Sequence, residues 1–244
     1  TYIMISIKKI FLFFSSIFLF VSSNLLSKEI KDIESFLNLK KLYLSDHTHT
    51  HNSKIKIISL NEVEEAHEVP VIIKLPENLA NAHKIAILID NNPIQLAANI
   101  FPYKSIKSLG VNVRLEQDSL VRAAVLDENN IWHVNSKKII VNSPGGCSLP
   151  SCNPEKEICE MKELGKIKLN KYQRSSGNWR FKLSINHPMD TGLVKNPKSG
   201  DFIPEYFINH ISLENKNGYT LAKADTFGAL SANPILIIDF IENL

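Results

Sequence analysis

From residue 55 onward, apolar and polar positions alternate in short runs. Lys54-Ile55-Lys56-Ile57-Ile58-Ser59-Leu60 is the first, followed by Val69-Pro70-Val71-Ile72-Ile73-Lys74-Leu75 and Lys84-Ile85-Ala86-Ile87-Leu88-Ile89-Asp90. Further runs fall at 94–101, 111–115, 120–126, 131–134 and 138–142, and again at 165–169, 179–185, 207–214, 220–224 and 235–240. Turn-forming residues separate them. Asp90-Asn91-Asn92-Pro93 is one such group, and Asp127-Glu128-Asn129-Asn130 and Asn215-Lys216-Asn217-Gly218 read as hairpin turns. Many short strands at regular spacing predict an all-β fold of the sandwich kind. No stretch in this region is long and periodic enough for a βαβ unit. The exception to the period lies upstream. Ile30, Ile33, Phe36, Leu37 and Leu42 recur near a 3.6-residue spacing and predict one helix over 28–44.

The chain of 244 residues is long enough for one large domain or two smaller ones. Its formal net charge is +3 with no basic stripe, so nucleic acid is not an expected partner. Lys8 and Lys9 precede an apolar stretch over 10–21, and Ser22, Ser23 and Asn24 follow it. That order predicts a Sec-type signal peptide over 1–23 and export to the periplasm. The stretch falls short of the ~20 residues a spanning helix needs, so no membrane segment is expected after cleavage. An exported protein is free to form disulfides.

Residues 143–162 break the strand pattern. Gly145-Gly146-Cys147 places a thiol after two residues with little steric restriction, between Pro144 and Pro150. This segment reads as a mobile arm carrying an exposed cysteine. Three cysteines are too few for a disulfide scaffold, and their odd number leaves at least one unpaired within the chain. Cys152–Cys159 would leave Cys147 free, whereas Cys147–Cys152 would cap it, and the spacing does not choose. Neither that spacing nor His47, His49 and His51 in the linker resembles an ordered metal site, so no metal is expected. No nucleophile triad, His-Glu-x-x-His, Walker or dinucleotide motif is present, and no catalytic residue is expected. His187 and His210 read as structural. Trp132 and Trp179 read as core or interface aromatics. Arg114 and Arg122 are expected to pair at the surface with Glu116, Asp118 or Asp127.

Several stretches together resemble one family. Val69-Pro70-Val71, Asp90-Asn91-Asn92-Pro93 with the strand after it, Val111-Asn112-Val113-Arg114 and Ser119-Leu120-Val121-Arg122-Ala123 resemble SoxY. Gly145-Gly146-Cys147 resembles its cysteine arm. His187-Pro188-Met189-Asp190-Thr191-Gly192, Ile203-Pro204-Glu205-Tyr206-Phe207-Ile208 and Ser231-Ala232-Asn233-Pro234 resemble SoxZ. With both in one chain, the sequence is most similar to fused SoxYZ-like carriers of the quinoprotein dehydrogenase-associated type.

The resemblance implies two immunoglobulin-like β-sandwich domains behind a short N-terminal helix. The expected layout is signal peptide 1–23, helix and linker 24–54, SoxY-like sandwich 55–142, cysteine-bearing arm 143–162 and SoxZ-like sandwich 163–244. The last reads as short of its final strands, which would leave Ile235–Phe240 an unpaired edge. The resemblance further implies a carrier without catalysis of its own and without a cofactor. Sulfur intermediates would be held covalently on Cys147, with Gly145 and Gly146 as the flexible arm. Implied partners are a c-type cytochrome, a thiosulfohydrolase and a sulfane dehydrogenase, or a quinoprotein dehydrogenase, besides contact between the two halves. The alternative is a non-carrier accessory module for such a dehydrogenase. Unlike the family pattern, the arm here is internal, is followed by Ser148-Leu149, and is accompanied by Cys152 and Cys159.

Overall fold

The computed structural model describes residues 34–44, 46–150, 163–196 and 199–241. The expected signal peptide and the Cys152–Cys159 segment lie outside these residues. A short helix spans 34–43 and belongs to a separate unit from the residues after 45. No helix among the described residues is long and apolar enough to cross a membrane.

From residue 46 the described chain is built of strands. The first half contributes β1 (His49–His51), β2 (Lys56–Ile58), β3 (Glu62–Val63), β4 (Val69–Lys74), β5 (Lys84–Ile89), β6 (Leu96–Pro102), β7 (Ile106–Val113), β8 (Ser119–Leu126) and β9 (Trp132–Val141). The second contributes β10 (Ile167–Gln173), β11 (Trp179–Ile185), β12 (His210–Glu214), β13 (Thr220–Thr226) and β14 (Ile235–Phe240). The pattern behind the prediction is visible in β4, where Val69, Val71 and Ile73 are buried and Pro70 and Lys74 are exposed. Pro70 is tolerated because β2 pairs only with Ile72–Lys74, so no neighbour on that side needs its missing N–H.

The strands form two sheets, ordered β1-β9-β8-β5-β6-β13-β12 (with β3 also on β9) and β10-β11-β14-β7-β4-β2. All pairs are antiparallel except β1 and β3 on β9. Both sheets run through both halves. β13 pairs with β6, placing Ala224 opposite Ile100, and β14 pairs with β7, placing Ile238 opposite Leu109. The halves are therefore joined more closely than by face-to-face packing. One core runs between the sheets, with Val71, Ile87, Leu109 and Val125 from the first half and Phe181, Met189, Ile238 and Phe240 from the second.

Two sequence expectations change here. The histidine linker is partly a strand, because His49–His51 pair with Trp132–Val134. Ile235–Phe240, expected as an unpaired edge, is interior to its sheet, with β11 on one side and β7 of the first half on the other. Asp239 fastens this junction. It accepts from Arg180 Nε (2.6 Å) and Nη2 (2.7 Å) on β11 and from Ser108 Oγ (2.7 Å) on β7.

Candidate functional site

The sheets bring three segments of the first half to one place: the β5–β6 turn, the residues after β7 and the residues after β9. Beyond β9, Gly145 N–H donates to the Glu116 carbonyl (2.8 Å) and Gly146 N–H to the Leu115 carbonyl (3.0 Å). Leu149 N–H then closes one turn on the Gly145 carbonyl (2.8 Å). The side chain of Glu116 caps that turn. Its Oε2 accepts the N–H groups of Cys147 and Ser148 (both 3.1 Å), and its Oε1 accepts the Ser148 hydroxyl (2.5 Å). His67 Nε2 meets the Leu149 carbonyl at 3.2 Å.

In the structure this segment, expected as a flexible arm, is seated against the first half. Gly145 has φ of 108°, a conformation that favours glycine. A Cβ on Gly146 would stand 2.3 Å from the Ala66 carbonyl oxygen and 2.5 Å from that of Leu115, and neither backbone can yield cheaply. The two glycines are there for close approach rather than for reach. Gly146→Ala is expected to push the segment off its seat. Overpacking of this kind costs about 1–3 kcal/mol, read as a lower denaturation midpoint together with faster alkylation of Cys147. An unchanged midpoint with unchanged alkylation would return the segment to the mobile-arm description.

Cys147 is free and fully buried, at 0% exposure. Asn92 Nδ2 donates to its Sγ at 3.5 Å and to the Arg114 carbonyl at 2.7 Å, while Asn92 Oδ1 accepts Glu116 N–H at 2.8 Å. The second half closes the other side. Thr191 Oγ1 donates to the Cys147 carbonyl at 2.8 Å, and the Pro188 carbonyl accepts Arg114 Nη2 at 2.8 Å. The stretches Asp90–Pro93 and His187–Gly192 thus meet around one cysteine, which the sequence alone does not reveal. Burial pushes the Cys147 thiol up to about 12. The Glu116 carboxylate adds to the rise and the Arg114 guanidinium opposes it. Burial likewise raises the Asp190 carboxyl and lowers His187, against the opposing charges around them.

The remaining expectations sort as follows. Arg114 and Arg122 do not pair at the surface; both are buried. Arg122 forks onto Asp90, Nε to Oδ1 at 2.7 Å and Nη2 to Oδ2 at 2.6 Å, and so fixes the start of the turn that carries Asn92. His187 accepts Met189 N–H on Nδ1 (3.1 Å) and packs its ring 4.5 Å from that of Tyr206, inside a fixed loop. His210 pairs with Asp225 at the surface. Trp132 is fully buried, and Trp179 lies under Lys171 Nζ at 4.1 Å. Among the described residues, no three side chains are grouped to hold a metal ion. Glu116 and Thr191 are the residues whose part in the site was missed. Glu116 reads locally as one more surface acid, and nothing near it in the sequence announces the turn it caps.

Comparison with known proteins follows the same division. Residues 39–147 match the family model for sulfur oxidation protein SoxY, a match that ends on the buried cysteine, and residues 167–243 match that for sulphur oxidation protein SoxZ. Among solved structures, the chain is similar to the sulfur carrier protein SoxY from Chlorobium limicola f thiosulfatophilum. The identity is 14% and the TM-score 0.38, over 48% of this chain and 99% of that one. No curated protein matches. With one match on each side of the seam, and a strand of each half completing a sheet of the other, the chain is a fusion of a SoxY and a SoxZ domain.

Proposed function

We propose that the protein is a periplasmic sulfur carrier. It holds intermediates of thiosulfate oxidation, or of a related sulfur compound, covalently on Cys147 and offers them to partner enzymes. The proposed partners are the c-type cytochrome, thiosulfohydrolase and sulfane dehydrogenase of such a pathway, or a quinoprotein dehydrogenase. In this reading residues 1–23 direct export, the chain catalyses nothing itself, and it needs no cofactor. The observation that carries it is the clasp on Cys147, to which both the Asp90–Pro93 and the His187–Gly192 stretches contribute.

Because the thiol is fully buried, carriage requires an opening step. Residues 144–149 have to leave Glu116 and Asn92 before the thiol is offered to an enzyme. Joining thiosulfate to the freed thiol releases one proton and two electrons, and the cytochrome accepts the electrons. The product is a sulfur–sulfur bond from Cys147 to the thiosulfate. A second reading, an accessory module of a periplasmic dehydrogenase, gains from the same burial, since an inert buried thiol needs no opening.

Intact-mass measurement separates the two. The full chain, incubated with thiosulfate and the partner enzymes, is expected to gain a sulfur adduct that maps to the peptide containing Cys147 and is absent from Cys147→Ser. An adduct that persists in Cys147→Ser removes the assignment. No adduct in either, with normal support of the dehydrogenase by the serine variant, establishes the accessory role.

A further inference from the structure

Arg114 is the group in this site that the stowed thiol does not explain. The residue is 3% exposed. Nη2 is satisfied by the Pro188 carbonyl, but Nε is a buried donor without a partner. A buried cation with an unmet donor is costly, so this Nε–H calls for a physical reason. The charges facing it are few. Asp190 feels its field, yet no hydrogen bond joins the two among the described residues, and burial favours the neutral form of that carboxyl. The other facing group is Cys147, also within reach of its field and touched by Asn92 Nδ2. The Glu116 carboxylate, held by the N–H groups of Cys147 and Ser148, opposes negative charge at the sulfur itself, so Arg114 and Asn92 are the donors left to receive a charge carried beyond it. In the resting protein the thiol is uncharged, so Cys147 itself offers the guanidinium no counter-charge.

Loading changes that balance. A cysteine carrying a thiosulfonate or a persulfide ends in an anion, and an anion is what a buried guanidinium with a free Nε–H accepts best. We propose that Arg114 is the residue that recognises the negative charge of the loaded cysteine, with Asn92 Nδ2 as the second donor, so that the closed site prefers anionic sulfur cargo over neutral cargo. The inference rests on the carrier reading and adds its selectivity. By linkage, an anionic adduct favours the closed segment more than a neutral adduct does. Arg114 is here a specificity residue, because it acts on the cargo and makes no bond in the transfer.

The test loads Cys147 chemically, without partner enzymes, in the full chain carrying Cys152→Ser and Cys159→Ser. Tetrathionate gives the anionic adduct: the thiolate attacks an inner sulfur and displaces thiosulfate, leaving a thiosulfonate on Cys147. Methyl methanethiosulfonate gives a neutral S-methyl disulfide with loss of methanesulfinate. Release of each by dithiothreitol is timed in the folded and in the guanidinium-unfolded protein, the latter supplying the intrinsic difference between the adducts. Folding is expected to slow release of the anionic adduct at least about tenfold more than release of the neutral one, the scale of a buried charge pair. Arg114→Gln is expected to abolish that preference and Arg114→Lys to keep part of it. Equal protection of both adducts in the folded protein overturns the inference, and this comparison needs no variant to fold. A preference that survives Arg114→Gln overturns it as well. Either failure leaves the enzymatic adduct on Cys147 to be decided by its own measurement, so the two readings fall separately.

Discussion

At neutral pH, Cys147 in the folded protein is expected to react with a small alkylating reagent about a thousandfold more slowly than a thiol of ordinary acidity. The attacking species is the thiolate, and burial moves the thiol from 9.0 to about 12, which removes roughly three powers of ten of it. Steric closure by residues 144–149 acts in the same direction. The same shift makes stability depend on pH, with a definite sign. Between pH 9 and 12 the unfolded chain has lost this proton and the folded chain keeps it, so each step up in pH favours unfolding. Three units at about 1.4 kcal/mol each set an upper scale of about 4 kcal/mol. Other groups titrate in that range, so the measurement is a difference. Stability of the full chain minus that of Cys147→Ser should decline through this window and be flat below it. A Cys147 that alkylates at the rate of a free thiol, with no alkaline decline against the serine variant, would mean that the clasped state is not the populated one.

That expectation inverts the local meaning of Gly145-Gly146-Cys147, and the inversion shows where sequence reasoning stops. Two glycines before a cysteine are the signature of freedom, and equally of a backbone pressed against another backbone. Only the position of Ala66 and Leu115 decides between them, and both are remote in sequence. The strands were legible where their signal is local. In β4 the alternation of buried and exposed residues reads directly from the chain, and the hairpins at Asp127–Asn130 and Asn215–Gly218 fall where turn chemistry puts them. β9 was read as two runs because Asn135-Ser136-Lys137 interrupts the apolar pattern, yet these residues pair without a break with Ala123, Arg122 and Val121. β7 begins five residues earlier than its apolar signal, at Ile106, and holds Gly110, whose missing side chain sits at ordinary contact distance from Ile72 and Ile237.

The long-range facts were out of reach for one reason: they pair residues that no local window contains. The completion of β14 by β7 is one such case. The two arginines are another. Charged residues are mostly exposed, so a surface pairing with the nearest acids is the natural expectation. Arg122 instead found Asp90, and Arg114 found a carbonyl of the second half. The sequence marks the stretches around Cys147 one by one and not as neighbours. The Asp-Asn-Asn-Pro and His-Pro-Met-Asp-Thr-Gly stretches and Cys147 were singled out separately, and the fold supplies the fact that they are neighbours.

Asp90→Ala is the substitution expected to cost most stability. Both partners of the Asp90–Arg122 fork are buried, with side-chain exposures of 4% and 6%, so removing the carboxylate takes the bidentate counter-charge from a buried guanidinium. Loss of one partner of such a pair costs about 3–5 kcal/mol, far more than the net worth of the intact pair, because the remaining charge stays buried without it. The damage should not stay local. Asp90 N–H donates to the Leu120 carbonyl (3.0 Å) and the Asp90 carbonyl accepts Gln95 Nε2 (2.8 Å), so this residue holds both ends of the turn that delivers Asn92 to Cys147. Denaturant unfolding should therefore show the large loss, and alkylation of Cys147 should quicken under conditions where the variant is still folded. A double variant, Asp90→Ala with Arg122→Met, removes the remaining charge and should recover part of the stability. If accessibility of Cys147 tracks the recovery, the fork acts on the thiol through the remaining charge. If stability returns while the thiol stays reactive, the carboxylate itself is what aims Asn92. An Asp90→Ala protein as stable as the parent would show that the fork is not formed in solution.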